Sequence, residues 1–224
     1  MAFSRIGYGQ VEPNQLSAQK TGQIYASLPL DSEVKVLQNG EFMYYDYVSG
    51  KVSADDSTGV AEPMLVFNEI KLYEPFWRTS YKDFAMIRVG DNYVTSGLAT
   101  ADYGDGATTV GEVPSVTYGP QGQQTTLIGH VEDPYRMDGI APRLFKTNVG
   151  DIYTTNMVKE LTGNNVYAVG ELLVPKKNTN TKTLQLEKFT SETLGAKPEG
   201  MAWAVVKVYT MPDGQDGLKL QRVQ

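Results

Sequence analysis

The chain has 224 residues, no cysteine, one histidine and a formal net charge of −6 from 20 basic and 26 acidic residues. The missing thiols remove disulfides, cysteine nucleophiles, iron–sulfur clusters and cysteine-based zinc sites, the lone histidine removes multi-histidine metal centres, and the acidic balance repels a phosphate backbone. No stretch approaches the roughly 20 apolar residues of a membrane helix, and MAFSRIGYGQVEPNQ has no apolar run of signal-peptide length, so the expectation is a chain folded in a cytoplasm, without nucleic acid, membrane, cofactor or small-molecule substrate.

Residues 1–21 space their apolar groups (Phe3, Ile6, Tyr8, Val11, Leu16) too irregularly for a sustained helix or strand. They are expected as an extended arm that orders against a neighbour, because scattered apolar side chains do not offset an ordering entropy of roughly 1–2 kcal/mol per residue. From Ile24 short strand-like runs begin. In VKVLQNGEFMYYDYVSGKV, residues 34–52, Val34 and Val36 alternate, Asn39-Gly40 supplies the positive backbone angles of a hairpin, and Phe42, Tyr44 and Asp46 resume the alternation before a second turn at Ser49-Gly50.

Loop chemistry fills residues 54–59, and residues 64–73 and 84–89 read as better buried strands. Residues 90–116, rich in Gly, Asp and Thr, predict a long loop, and the Gly/Gln tract 118–124 divides the halves, ahead of a strand at 125–128 and a turn-rich stretch at 133–142. A short helix is expected at 157–161, capped by Thr155 or Asn156 and ended by Gly163. Strands follow at 166–174 and 183–189 around a KKNTNT loop, then a hairpin with arms at 203–211 and from Leu218.

The fold class is therefore mainly β: one or two small antiparallel β-barrel or sandwich modules with an extended N-terminal arm and at most one or two short helices. The expected boundaries are an arm at 1–21, a module at 22–117 and a second at 118–224, or one continuous domain over 22–224. One phrase occurs twice: GQIYAS at 22–27 leads on to Gly40-Glu41-Phe42, and GDIYTT at 150–155 leads on to Gly170-Glu171-Leu172. Duplication of one supersecondary unit and chance similarity of strand entries both fit.

No motif carries a reaction. His130 has Glu132 on its own face of an extended chain and Asp133 on the other, with no nucleophile elbow anywhere, which fits a polar histidine at a strand end. The pairs Asp55/Asp56, Asp102/Asp105 and Asp213/Asp216 sit in turn contexts and lack calcium-loop spacing. The glycines from 90 to 111 form no phosphate-cradling pattern. Lys176, Lys177 and Lys182 read as a solvated loop. The 14 tyrosines, with the run Tyr44, Tyr45 and Tyr47, suit either packing or a face for sugar or protein. No catalytic, cofactor or metal residue is expected.

The segment TGQIYASLPLDSEVKVLQNGEFMYYDYVSGKV, residues 21–52, resembles the opening of small structural proteins of tailed bacteriophages, with fainter agreement over residues 146–172. The resemblance implies a non-enzymatic virion component, a capsid decoration or cement protein whose partners are the major capsid protein and copies of itself. On that expectation Phe3, Arg5, Tyr8 and Val11 of the arm are partner-contact residues. A neck, tail or head-fibre protein, a carbohydrate- or receptor-binding module, and a hydrolase with two distant carboxylates are the alternatives.

Overall fold

A computed structural model describes residues 9–34, 36–69, 85–87, 135–136, 141–159, 161, 167–190, 196–211 and 216–224. In chain order the elements begin with β1 (Val11–Gln15), α1 (Ser17–Thr21), β2 (Ile24–Tyr25), β3 (Val36–Gln38), β4 (Phe42–Asp46), β5 (Lys51–Ser53) and β6 (Met64–Val66). They continue with β7 (Ala85–Ile87), β8 (Tyr135–Arg136), β9 (Leu144–Phe145), β10 (Ile152–Thr155), β11 (Leu172–Asn178), β12 (Thr183–Lys188), β13 (Trp203–Thr210) and β14 (Asp216–Arg222). The protein is mainly β, and its large antiparallel sheet curls into a half-barrel.

That sheet runs β1-β10-β14-β13-β11-β12-β4-β6-β9-β2, with β5 paired to β4, and a second sheet holds β3-β7-β8. Strands from before and after residue 117 interleave: β1 pairs with β10, β4 with β12, and β2 and β6 with β9. A cut at 117/118 would run through the ladder.

Several expectations change at this level. Residues 11–21 join the body: β1 is an edge strand on β10, α1, the one helix among the described residues, follows it, and Val11, Leu16 and Ala18 belong to the core. Irregular spacing did not disqualify them, because the ladder that seats this stretch comes from a strand far along the chain, with Val11 opposite Thr155 and Gln15 opposite Ile152. Asn39-Gly40 is no hairpin, since β3 pairs with β7 in one sheet and β4 with β5, β6 and β12 in the other. No helix forms at 157–159, where Val158 makes a lone parallel bridge to Leu186, as five marginal helical residues lose to a sheet edge. β11 continues through Lys176 and Lys177, so the turn begins only at Thr179.

The core has two faces. On one, Trp203 packs between Tyr153 and Phe42 with ring centroids 4.8 and 5.9 Å away, and Phe67 meets Phe145 at 5.2 Å. On the other, Val34, Leu37, Met43, Val52, Met64, Val66 and Leu144 cluster. Along β4, β6 and β9 successive residues serve opposite clusters (Phe42 and Met43, Leu65 and Val66, Phe145 and Leu144). Burial on both faces is why MLV reads as an unbroken apolar run. Each large side chain so placed contributes about 1.5–3 kcal/mol.

Among the described residues three turns repeat one design, with glycine third and an acidic residue fourth: Gln38–Glu41, Asn148–Asp151 and Ala168–Glu171. The fourth N–H donates to the first carbonyl at 3.3, 3.0 and 3.2 Å, and the glycine φ values are +92°, +96° and +91°. The acidic side chain then folds back to accept the first residue's N–H at 2.7, 2.9 and 3.1 Å. Glycine N–H and acidic-residue C=O also grip one residue of the adjacent strand, respectively Val66, Arg222 and Val205, a G1-type bulge. The echo in the sequence is resolved differently from its first appearance. Gly22 ends α1 and leads to exposed Tyr25, whereas Gly150 sits in a turn and leads to buried Tyr153. The true relatives are the Gly-Glu and Gly-Asp turns, and the letters Val-Gly-Asp and Val-Gly-Glu recur at 89–91 and 110–112, outside the described residues.

The three glycines differ in surroundings. A Cβ at Gly40 would lie 2.5 Å from Thr155 Oγ1 and 2.7 Å from Met157 Cβ, whereas nothing lies within 4 Å at Gly150 or Gly170. Gly150→Ala and Gly170→Ala should each cost about 1–2 kcal/mol of backbone strain, and Gly40→Ala about 1–3 kcal/mol more from overpacking. Denaturant midpoints of the three variants check the order, and equal losses would contradict the packed corner.

Candidate binding surfaces

Of the residues expected to contact a partner, Phe3, Arg5 and Tyr8 lie outside the described residues. Val11 is buried in the chain's own core at 2% exposure, so its side chain is unavailable to a partner. His130, Glu132, Asp133, Asp102, Asp105 and Asp213 also fall outside them. Asp55 pairs with Lys177, Asp56 braces a loop, and Asp216 opens β14. Lys176 sits 3.8 Å from Glu187, so this lysine pair is tied to acids. Among the described residues no group of three or more His, Cys, Asp or Glu side chains could hold a metal ion.

Two surfaces stand out. The first lies on the turns and the β13–β14 hairpin. Val149 and Val169, second residues of two of the glycine turns, are each 67% exposed, while the equivalent Asn39 is 1% exposed. The bond from Gly170 N–H to the Val205 carbonyl ties the turn of Val169 to the strand that carries exposed Val206, and that from Gly150 to Arg222 ties the turn of Val149 to the residue before exposed Val223. Exposed Val208 lies further along β13. A turn tip facing only water favours Asn, Asp, Ser or Pro, and valine on a locked turn presents a methyl pair with almost no side-chain freedom left to lose.

The second surface is a cleft of about 250 Å³ lined by Tyr25, Leu28, Tyr45, Tyr47, Ala61, Glu62, Met64 and Lys146. Leu28 and Tyr45 pack on the smaller core cluster, and Tyr47 stands edge-on to Tyr45 at 5.3 Å. Glu62 is held by the guanidinium of Arg222, itself buried and bonded to the Thr147 carbonyl and hydroxyl and to the Gln224 carbonyl. Behind Glu62 a wider hollow of about 400 Å³ includes Tyr44, Glu199 and Arg222. Burial, and then the charge of Asp56, raise the Tyr44 phenol above its ordinary value.

Two carboxylates set the loop that forms the cleft wall. Asp46 accepts N–H bonds from Val48 at 3.3 Å, Ser49 at 3.1 Å and Ser57 at 3.2 Å. The Ser49 side chain first, and then these N–H groups, bring its carboxyl down to about 2. Asp56 accepts from the Thr58 hydroxyl at 2.7 Å and from Ala61 N–H at 2.6 Å, and the Thr58 hydroxyl leads the causes that lower its carboxyl.

No family model, curated protein or solved structure matches this chain. Tyr45 and Tyr47 stand out in the sequence as one run, whereas Tyr25, Glu62 and Lys146 join them only through the pairing of β2, β6 and β9, and nothing local signals that Val149 and Val169 stand at turn tips.

The folded value of Asp46 lies below its unfolded value near 3.8, so its stabilising contribution is complete above pH 4 and fades as pH falls towards 2. Asp46→Ala should melt at a lower temperature than the parent at pH 7, with the gap closing between pH 4 and pH 2. Thermal melts across that range check it; a gap independent of pH would show that the carboxylate's charge is not what holds the loop.

Proposed function

We propose that this chain is a structural component of a tailed-phage particle, a decoration or cement protein that binds the capsid lattice and neighbouring copies of itself by surface contact, without turning over a substrate. It folds in the host cytoplasm and works on the virion. The observation that carries the reading is the pair of two-thirds-exposed valines, Val149 and Val169, on turns locked by Asp151 and Glu171. Apolar groups held rigidly at turn tips suit a surface that is covered once assembled, because they meet a partner with little ordering cost. The resemblance of residues 21–52 to phage structural proteins is what points this reading to a capsid lattice as the covering partner.

The free sheet edges support contact through side chains in preference to strand addition. Among the described residues β1 and β2 end the large sheet; β1 carries Pro13, which has no N–H to offer, and β2 has only two residues. A neck or tail position would use the same chemistry on a different lattice.

The test is co-sedimentation with tailed-phage particles assembled in cells that make the chain, with the copy number per particle measured. Parent protein should band with particles in many copies. The triple variant Val149→Ser/Val169→Ser/Val208→Ser, losing about 1 kcal/mol per site, should bind roughly a hundred-fold more weakly with an unchanged melting temperature. A chain that never bands with particles, or a triple variant that binds as the parent does, would overturn the reading.

A further inference from the structure

We propose that the cleft between Tyr25, Tyr45 and Tyr47 is a saccharide site that takes one pyranose ring and prefers a ring bearing a carboxylate. This goes beyond lattice binding and does not depend on it, since none of the turn-tip valines lines the cleft.

The first argument is size. At about 250 Å³ the cleft falls just under the roughly 300–1,000 Å³ of drug-sized sites, which suits one ring and not an extended peptide. The second is lining chemistry. Tyrosine joins a flat apolar face, on which the C–H face of a sugar stacks, to a hydroxyl that exchanges hydrogen bonds with the ring's own hydroxyls. Three tyrosines converge here, and none of their hydroxyls has a hydrogen-bond partner among the described residues. A purely hydrocarbon ligand would leave those hydroxyls unsatisfied as it drove out their water, which costs affinity.

The third argument is charge. Glu62 is already paired with Arg222, whose remaining bonds to Thr147 and Gln224 fix it in place. The carboxylate is thus neutralised and oriented before any ligand arrives, and its other oxygen can accept from a sugar hydroxyl at little ordering cost. The ammonium of Lys146, a half-buried residue of the wall, has no ion-pair or hydrogen-bond partner among the described residues. It is the one formal charge in the lining without a counter-ion, and it asks for an anionic group on the ligand. The position of Ala61 and Glu62 is itself braced, because Asp56 holds the Ala61 N–H.

The experiment titrates the full chain with three probes of similar size, glucuronic acid, glucose and cyclohexanecarboxylate, following chemical shifts of residues around the cleft. Glucuronic acid should bind at about millimolar strength, glucose about ten-fold more weakly, and cyclohexanecarboxylate not measurably. Tyr47→Ala should weaken glucuronic acid at least ten-fold, and Lys146→Gln should erase its advantage over glucose, both without a change in melting temperature. Absence of glucuronic acid binding up to roughly 50 mM would overturn the site. Equal binding of cyclohexanecarboxylate would overturn the saccharide assignment, equal binding of glucose by the parent would overturn the acidic preference, and undiminished binding by both variants would place the sugar elsewhere. Particle attachment is read separately by the valine variants, so either proposal can fail while the other stands.

Discussion

In each of three glycine turns a carboxylate folds back onto the N–H of the turn's first residue, and the strand that follows starts in register only because this contact and the bulge beside it hold. A one-residue slip would send Tyr153, Leu173 and Phe42 to the wrong face. The acid is not spent on the turn alone. Glu41 also accepts from the Thr183 hydroxyl at 2.8 Å, Asp151 takes the Ser17 hydroxyl at 2.8 Å and its N–H at 3.0 Å, and Glu171 binds Lys188. Two of the turns are therefore tied to elements more than 130 residues away and the third to the neighbouring strand β12, and the half-barrel is closed in part by polar knots.

At the Gln38–Glu41 corner the knot lies inside the protein. Asn39 and Asn68 exchange bonds, Nδ2 to carbonyl at 3.0 Å and N–H to Oδ1 at 2.7 Å, and Gly9 donates to Gln38 Oε1 at 2.9 Å. Asn156 accepts the Gln10 N–H at 2.7 Å while the Thr155 hydroxyl donates to the Gln10 carbonyl at 2.7 Å. Buried polar groups are costly unless matched, and matching here demands that residues 9–10, the corner and the end of β10 arrive together. Such a network contributes specificity of assembly, where the aromatic stack around Trp203 contributes large fully buried side chains.

The same rigidity gives the surfaces their character. Valines at the turn tips and the loop wall of the cleft stand on backbone fixed by carboxylates, so a partner or a sugar meets groups already in place. In the proposed roles the protein works by presenting surfaces, one apolar and one mixed, on opposite sorts of scaffold: turns for the valines, a hairpin and braced loop for the tyrosines.

Strand positions, and with them the β class, were legible locally: Phe42 to Asp46, Thr183 to Lys188 and Trp203 onward read as strands because short runs carrying aromatic and aliphatic residues are bounded by turn residues. The exclusion of thiol chemistry was equally direct, since it needs only the residue inventory. Pairing was not legible. Asn39-Gly40 has the local signature of a hairpin and is a corner between sheets, because the choice among partners for β3 and β4 depends on what covers Leu37 and Met43 from elsewhere. Val11 and Leu16 lacked periodicity and are core, because their neighbours come from β10 and beyond. Tyr25, Glu62 and Lys146 gather into one cleft for the same reason: sequence fixes the conformation each residue favours, while contacts between residues a hundred apart are settled only when competing apolar surfaces and buried polar groups are satisfied together.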